Sequence, residues 1–169
     1  MTDKAVSAAR RVLELTGSRD PFRAARELGI DVLTRDDFVS QKGAFCMVIG
    51  CPFIFLNGRL TDEESVTVCA HELGHAMLHR KQAVRGALCE FDLFDMATGM
   101  EYEANVFAAE FLIDTADMRE YFASGLDVYA AAGALGVNVN LLLIKLAELN
   151  RRGGRFNLPY VPEKAFMGE

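Results

Sequence analysis

Four cysteines in 169 residues, with no CxxC pair among Cys46, Cys51, Cys69 and Cys89, exclude both a disulfide framework and a zinc ribbon. They read as reduced thiols, the usual state in a cytoplasmic compartment. Long apolar runs are missing as well. FIFL and LLLI fall far short of the ~18–20 apolar residues of a membrane span and read as strand or helix cores. There is no excess of base: the net charge is −6 and the pI about 5.1, which argues against a surface that coats nucleic acid. The opening MTDKAVSAARRVLEL carries charge throughout and has no apolar core, so a signal peptide is not expected and a cytoplasmic location is. Repeats, low-complexity tracts and linkers are lacking too, so residues 1–169 read as one domain. Histidine is scarce. The three in the chain, His71, His75 and His79, all fall within nine residues of each other.

What is present is a globular pattern: 51% hydrophobic and 25% charged residues. Ala5, Ala8, Ala9, Val12, Leu13 and Leu15 recur at roughly helical spacing until Gly17. Asp20 caps a second short helix, with Pro21 at its first position and Gly29 at its end. Residues 30–34 read as a strand. The runs AFCMVI (44–49) and FIFLN (53–57), separated by Gly50-Cys51-Pro52, read as a hairpin, and one run is expected to be covered on both faces. Thr61 and Glu64 form a capping box that opens a helix to about Arg80. That helix is apolar on both sides: Val66, Ala70, Leu73 and Met77 form one stripe, and Val68 and Leu78 lie across from it. It should therefore be buried. Residues 80–99 have weak periodicity. Thr98 and Glu101 match a second capping box, opening the helix EYEANVFAAEFLI, and further helical pieces follow at 115–123, 126–133 and 139–150. The expected fold is α+β: a small antiparallel sheet packed against the histidine-bearing helix, with a mostly helical C-terminal half.

Residues 71–75 read His-Glu-Leu-Gly-His. On a helix, residues four apart share a face, so both imidazoles can reach one metal ion. Glu72 is turned about 100° away and can stand beside a water rather than bind the metal. A zinc ion with three protein ligands and one open position is the catalytic arrangement. Two histidines and a glutamate in an apolar helix are costly to bury without such a use.

The third ligand follows by exclusion. His79 lies eight residues from His71, about 12 Å along a helix, whereas ligands of one tetrahedral zinc lie only about 3–3.5 Å apart. Cys69 faces elsewhere on the wheel. A carboxylate from another segment remains, and the 98–113 helix supplies the best ones. Glu101 is already used by its capping box, so Glu103 is assigned as the third ligand. It shares a face with Phe107 and Glu110. Glu110 then becomes a candidate to accept a hydrogen bond from the outer N–H of a ligand histidine. Glu90, Asp92 and Asp95 are rival ligands, as is Cys89. His79 reads either as a helix C-terminal cation or as a partner of the site. Gly74, inside the motif, is either merely tolerated or marks a close approach of another backbone.

HELGHAMLH, followed by EYEANVFAAEFLI and preceded by FIFLN, resembles the ImmA/IrrE family of bacterial and phage zinc metallopeptidases over roughly residues 40–115. The resemblance implies zinc on His71, His75 and Glu103, a gluzincin-like arrangement, with Glu72 as the catalytic base. It also implies cleavage of a helix-turn-helix repressor protein. The chain departs from the family where Phe-Leu-Ile-Asp-Thr (111–115) lacks the proline that often follows the ligand helix, which bears on how the next helix is entered. Residues 130–152 resemble the helix-turn-helix-like part of family members, with Gly136-Val137-Asn138 at the turn. Asn140 and Lys145 are thin material for DNA contacts, so the segment reads as a packing module.

The expected reaction is metal-assisted peptide hydrolysis with Glu72 as general base. Tyr102, Tyr121 or His79 is a candidate second donor to the oxyanion, and strand 44–49 or 53–57 is a candidate to pair with an extended substrate. Two other classes stay open: a DNA-binding regulator with structural zinc, and a protein that sequesters a repressor without cutting it.

Overall fold

The computed structural model describes residues 2–86 and 98–159. The candidate ligands Cys89, Glu90, Asp92 and Asp95 lie outside the described residues. In chain order the elements are α1 (Thr2–Thr16), α2 (Pro21–Glu27), β1 (Asp31–Arg35), β2 (Gly43–Val48), β3 (Cys51–Asn57), α3 (Asp62–Leu78), α4 (Arg80–Gly86), α5 (Thr98–Leu112), α6 (Thr115–Ala123), α7 (Val128–Leu135) and α8 (Val139–Arg151). The fold is α+β, as the pattern implies. The sheet is mixed rather than wholly antiparallel: in the order β1-β3-β2, β1 runs parallel to β3 and β2 antiparallel to it.

The hairpin turns one residue earlier than the Gly-Cys-Pro string suggests. Ile49 and Gly50 form the loop, with φ of 49° and 80°, the geometry of a type I′ turn. Ile49 is 99% exposed, so nothing compensates a β-branched residue for this left-handed conformation. Cys51 and Pro52 belong to β3. The bond from Asn57 N–H to the Lys42 carbonyl (2.9 Å) makes that pair a hydrogen-bonded one. Alternation then puts Met47–Pro52 and Phe45–Ile54 on non-bonded positions. Pro52 therefore needs no N–H toward β2, and β1 begins pairing only at Phe53. The same alternation turns the Phe45 N–H outward from the sheet. Only one face of β3 is fully covered: Ile54 and Leu56 are buried, whereas Phe53 and Phe55 stack on each other half-exposed, centroids 5.9 Å apart.

α3 is the central element. Its capping box is formed as the sequence predicts, Glu64 N–H to Thr61 Oγ1 at 3.2 Å and Thr61 N–H to Glu64 Oε2 at 3.0 Å. Every residue from Thr67 to Ala76 is buried, with β2 and β3 packed on one side and α5 on the other. Two glycines set these approaches. A Cβ at Gly74 would stand 3.1 Å from both the Cα and the carbonyl oxygen of Ala104 in α5. A Cβ at Gly43 would stand 2.5 Å from Val68 Cγ1 and 3.2 Å from Glu72. Gly74 thus marks the close approach of another backbone.

α1, α5 and α8 are tied together by charge. Glu110 takes the Lys145 ammonium on one oxygen and Arg10 Nε on the other, the latter at 2.8 Å. Glu110 therefore does not receive a histidine N–H; its carboxylate is spent on α1 and α8. Burial raises its pKa, but Lys145 and Arg10 outweigh that and hold it below the usual carboxylate range. Arg19 closes the end of α5, reaching the Phe111 carbonyl (2.7 Å) and Asp114 (2.7 Å). Asp114 in turn caps α6 by accepting from Ala116 N–H at 2.7 Å. An aspartate cap thereby sets the entry to α6 in the segment that lacks proline.

α7 and α8 meet at 109° through Gly136 (φ 64°) and the Asn138 cap. They are two helices joined by a tight turn, and α8 is a core helix. Leu141 through Leu146 are buried, Lys145 and Asn140 among the buried polar residues at 3% and 9% exposure. No single helix among the described residues is long and apolar enough to cross a membrane.

Two stability measurements check this account. Gly74→Val should cost about 2–3 kcal/mol in urea unfolding, because the added atoms meet backbone rather than a movable side chain. Lys145→Met should cost about 3 kcal/mol by leaving Glu110 with Arg10 alone, and Lys145→Met with Glu110→Leu should recover most of the loss. Because the folded-state pKa of Glu110 is lowered, the stability it contributes is present above the ordinary carboxylate pKa near 4.5 and is lost as pH falls below it.

Candidate metal centre

His71 and His75 lie one turn apart on α3 and are 2% and 3% exposed. Their Nε2 atoms stand 3.0 Å from each other. Glu101, from the first turn of α5, reaches both: Oε2 is 3.1 Å from His71 Nε2, and Oε1 is 3.3 Å from His75 Nε2. Among the described residues these three side chains form the group able to hold a metal ion. The separations match the ~3.3 Å edge of a tetrahedron with bonds near 2.0–2.1 Å.

The expected third member, Glu103, is not in this group. Its Oε2 lies 3.1 Å from His79 Nε2. The capping signature assigns Glu101 to the helix start, but its carboxylate faces the histidines. The signal that would have found it is Asn105, four residues on. Asn105 is fully buried, shares Glu101's helix face and accepts from His71 Nδ1 at 2.8 Å. His71 is thus gripped by Glu101 on one nitrogen and Asn105 on the other, both from α5.

The rear of His75 is also occupied. Its Nδ1 lies 3.0 Å from Nδ1 of His79, which is itself 3% exposed. His79 is therefore a neighbour of the site rather than a solvated cation at the helix end. Of the other candidate oxyanion donors, Tyr102 gives its hydroxyl to Glu148 at 3.0 Å, and Tyr121 sits on α6, half-buried against the core.

Glu72 is 7% exposed. Burial, reinforced by the charge of Glu101, pushes its carboxyl up to about 7, while His71 and a hydrogen bond from the Phe45 backbone pull the other way. That Phe45 bond is the outward N–H of β2, so the edge strand of the sheet runs beside Glu72. Cys46 is close enough for the Glu72 charge to reinforce the burial that raises its thiol pKa. For Glu101 burial opposes ionisation, but His71 and His75 beside it outweigh that and hold it far below the ordinary carboxylate range. Burial lowers His75 to about 4, so it stands neutral with a lone pair to offer. A buried carboxylate beside two imidazole nitrogens, whose outer nitrogens are both engaged, is a donor set that could hold a cation.

The model of the IrrE N-terminal-like domain, peptidase family M78, matches residues 25–147 and so spans the sheet, α3, α5 and most of α8. The chain is also 29% identical over 144 residues to the Uncharacterized immunity region protein 2 of Bacillus phage phi105, covering 85% of this chain and 90% of that protein. With most of the chain inside the family model, the protein belongs to the peptidase M78 family of IrrE N-terminal-like domains.

Proposed function

We propose that the chain is a zinc metallopeptidase in which His71, His75 and Glu101 hold the metal and Glu72 is the general base. The observation that carries this reading is the convergence of two Nε2 atoms and one carboxylate at mutual distances of 3.0–3.3 Å. A divalent cation held there supplies Lewis acidity toward a water and toward the scissile carbonyl. Glu72, raised to about 7 by burial, is poised to take the proton of the attacking water and return it to the leaving amine. β2 is the edge strand beside Glu72; with the Phe45 N–H taken by Glu72 and the Gly43 carbonyl by Gln41, its outward groups at the Phe45 carbonyl and Met47 would pair with an extended peptide. Burial of the surrounding wall excludes water that would otherwise weaken these charges.

The substrate class we infer is a helix-turn-helix repressor. The phage relative carries an immunity-region name, which fits control of a repressor. A direct DNA-binding role is less well supported, because Asn140 and Lys145, the residues it would use, are buried in α8.

The test uses the purified chain and the repressor encoded nearest to its gene, with cleavage followed by mass spectrometry. Glu72→Gln should lower the cleavage rate by about 10²–10⁴-fold while zinc stays bound at one per chain. His71→Ala and Glu101→Ala should lose stoichiometric zinc. Cleavage by Glu72→Gln at the wild-type rate would overturn the mechanism. Because Glu72 acts only when deprotonated, activity should fall on the acid side. A neighbouring cation favours the carboxylate, so the midpoint in the zinc-loaded enzyme should lie below the metal-free value of about 7.

A further inference from the structure

Behind His75 the hydrogen bonds run in one direction. A carboxylate only accepts, so the 3.1 Å contact between Glu103 and His79 Nε2 places a proton on that nitrogen. A neutral His79 then has a bare Nδ1. Nδ1 of His75, 3.0 Å away, must donate to it. With its proton on Nδ1, His75 turns a free Nε2 lone pair toward His71 and Glu101. His71 reaches the same tautomer by a different route, through Asn105. The two rings of the motif are therefore set independently, one by an amide and one by a carboxylate–imidazole pair.

We propose that Glu103 and His79 form a positioning relay that fixes the tautomer and ring orientation of His75 for metal binding. This rests on the metal reading above and adds a role for two residues that the donor group leaves out. Glu103 is well placed for it. Its side chain is 19% exposed and that of His79 4%, so the far end of the relay touches solvent while its inner end is dry. Among the described residues, the other ring contact of His79 is the tilted approach to His75 itself, centroids 5.2 Å apart.

The experiment has two readouts, neither of them cleavage. The first is zinc affinity by competition with a chromophoric chelator. The second is the protonation site of each ring in the metal-free chain, read from long-range ¹⁵N–¹H correlations near neutral pH. In the wild type, His79 should carry its proton on Nε2 and His75 on Nδ1. Glu103→Leu should weaken zinc binding about 10–100-fold and let His75 populate the Nε2–H form, since His79 is then free to reverse. Glu103→Gln, whose amide oxygen accepts the same bond, should stay near wild type on both readouts. This rescue separates the relay from a packing role. His79→Phe should weaken zinc binding at least as much as Glu103→Leu. Wild-type zinc affinity and an unchanged His75 tautomer in Glu103→Leu would overturn the relay. A wild-type chain that holds zinc no better than His71→Ala would overturn the metal reading itself, and the two failures are thereby told apart.

Discussion

The contact between Gly74 and Ala104 governs the rest. A helix that carries two imidazoles and a carboxylate on a dry wall cannot stand alone; each polar atom left unmatched would cost on the order of 1–3 kcal/mol. α5 supplies the matches, and it can do so only because the two backbones come within the reach of a missing methyl group. From that crossing follow Glu101 at both rings, Asn105 behind the first and Glu103 behind the last. The sheet completes the enclosure from the opposite side. There Gly43 performs for β2 what Gly74 performs for α5, and Glu72 sits between them.

Much of this was legible in the chain itself. The spacing of His71 and His75, the helix that bears them, its capping box and the family likeness all follow from local pattern, because a helix fixes which residues share a face whatever surrounds it. Gly29, Asp20 and Asn138 likewise stand where local turn chemistry puts them.

The assignments that differ share a physical cause. Glu101 fits a capping signature, and a signature says nothing about where a long side chain finds its best partner. Here both of its oxygens face histidine nitrogens in a dry site. Glu103 faces a different histidine because residues 101 and 103 point some 200° apart on a helix. Glu110 lies on the expected stripe, but its partners come from positions 100 residues before it and 35 after it, separations no periodicity reports. Proline misplaced the hairpin turn for a subtler reason: whether a strand tolerates it depends on register, which emerges only when the strands pair.

The tip of that hairpin bears on how the chain assembles. Two strands alone are marginal in water, and a left-handed isoleucine at the bend lowers the isolated pair further. β2 and β3 therefore depend on what packs against them. The pair is held by the flank of α3, against which Phe45 and Met47 are buried, so the edge beside Glu72 is only as stable as the helices behind it.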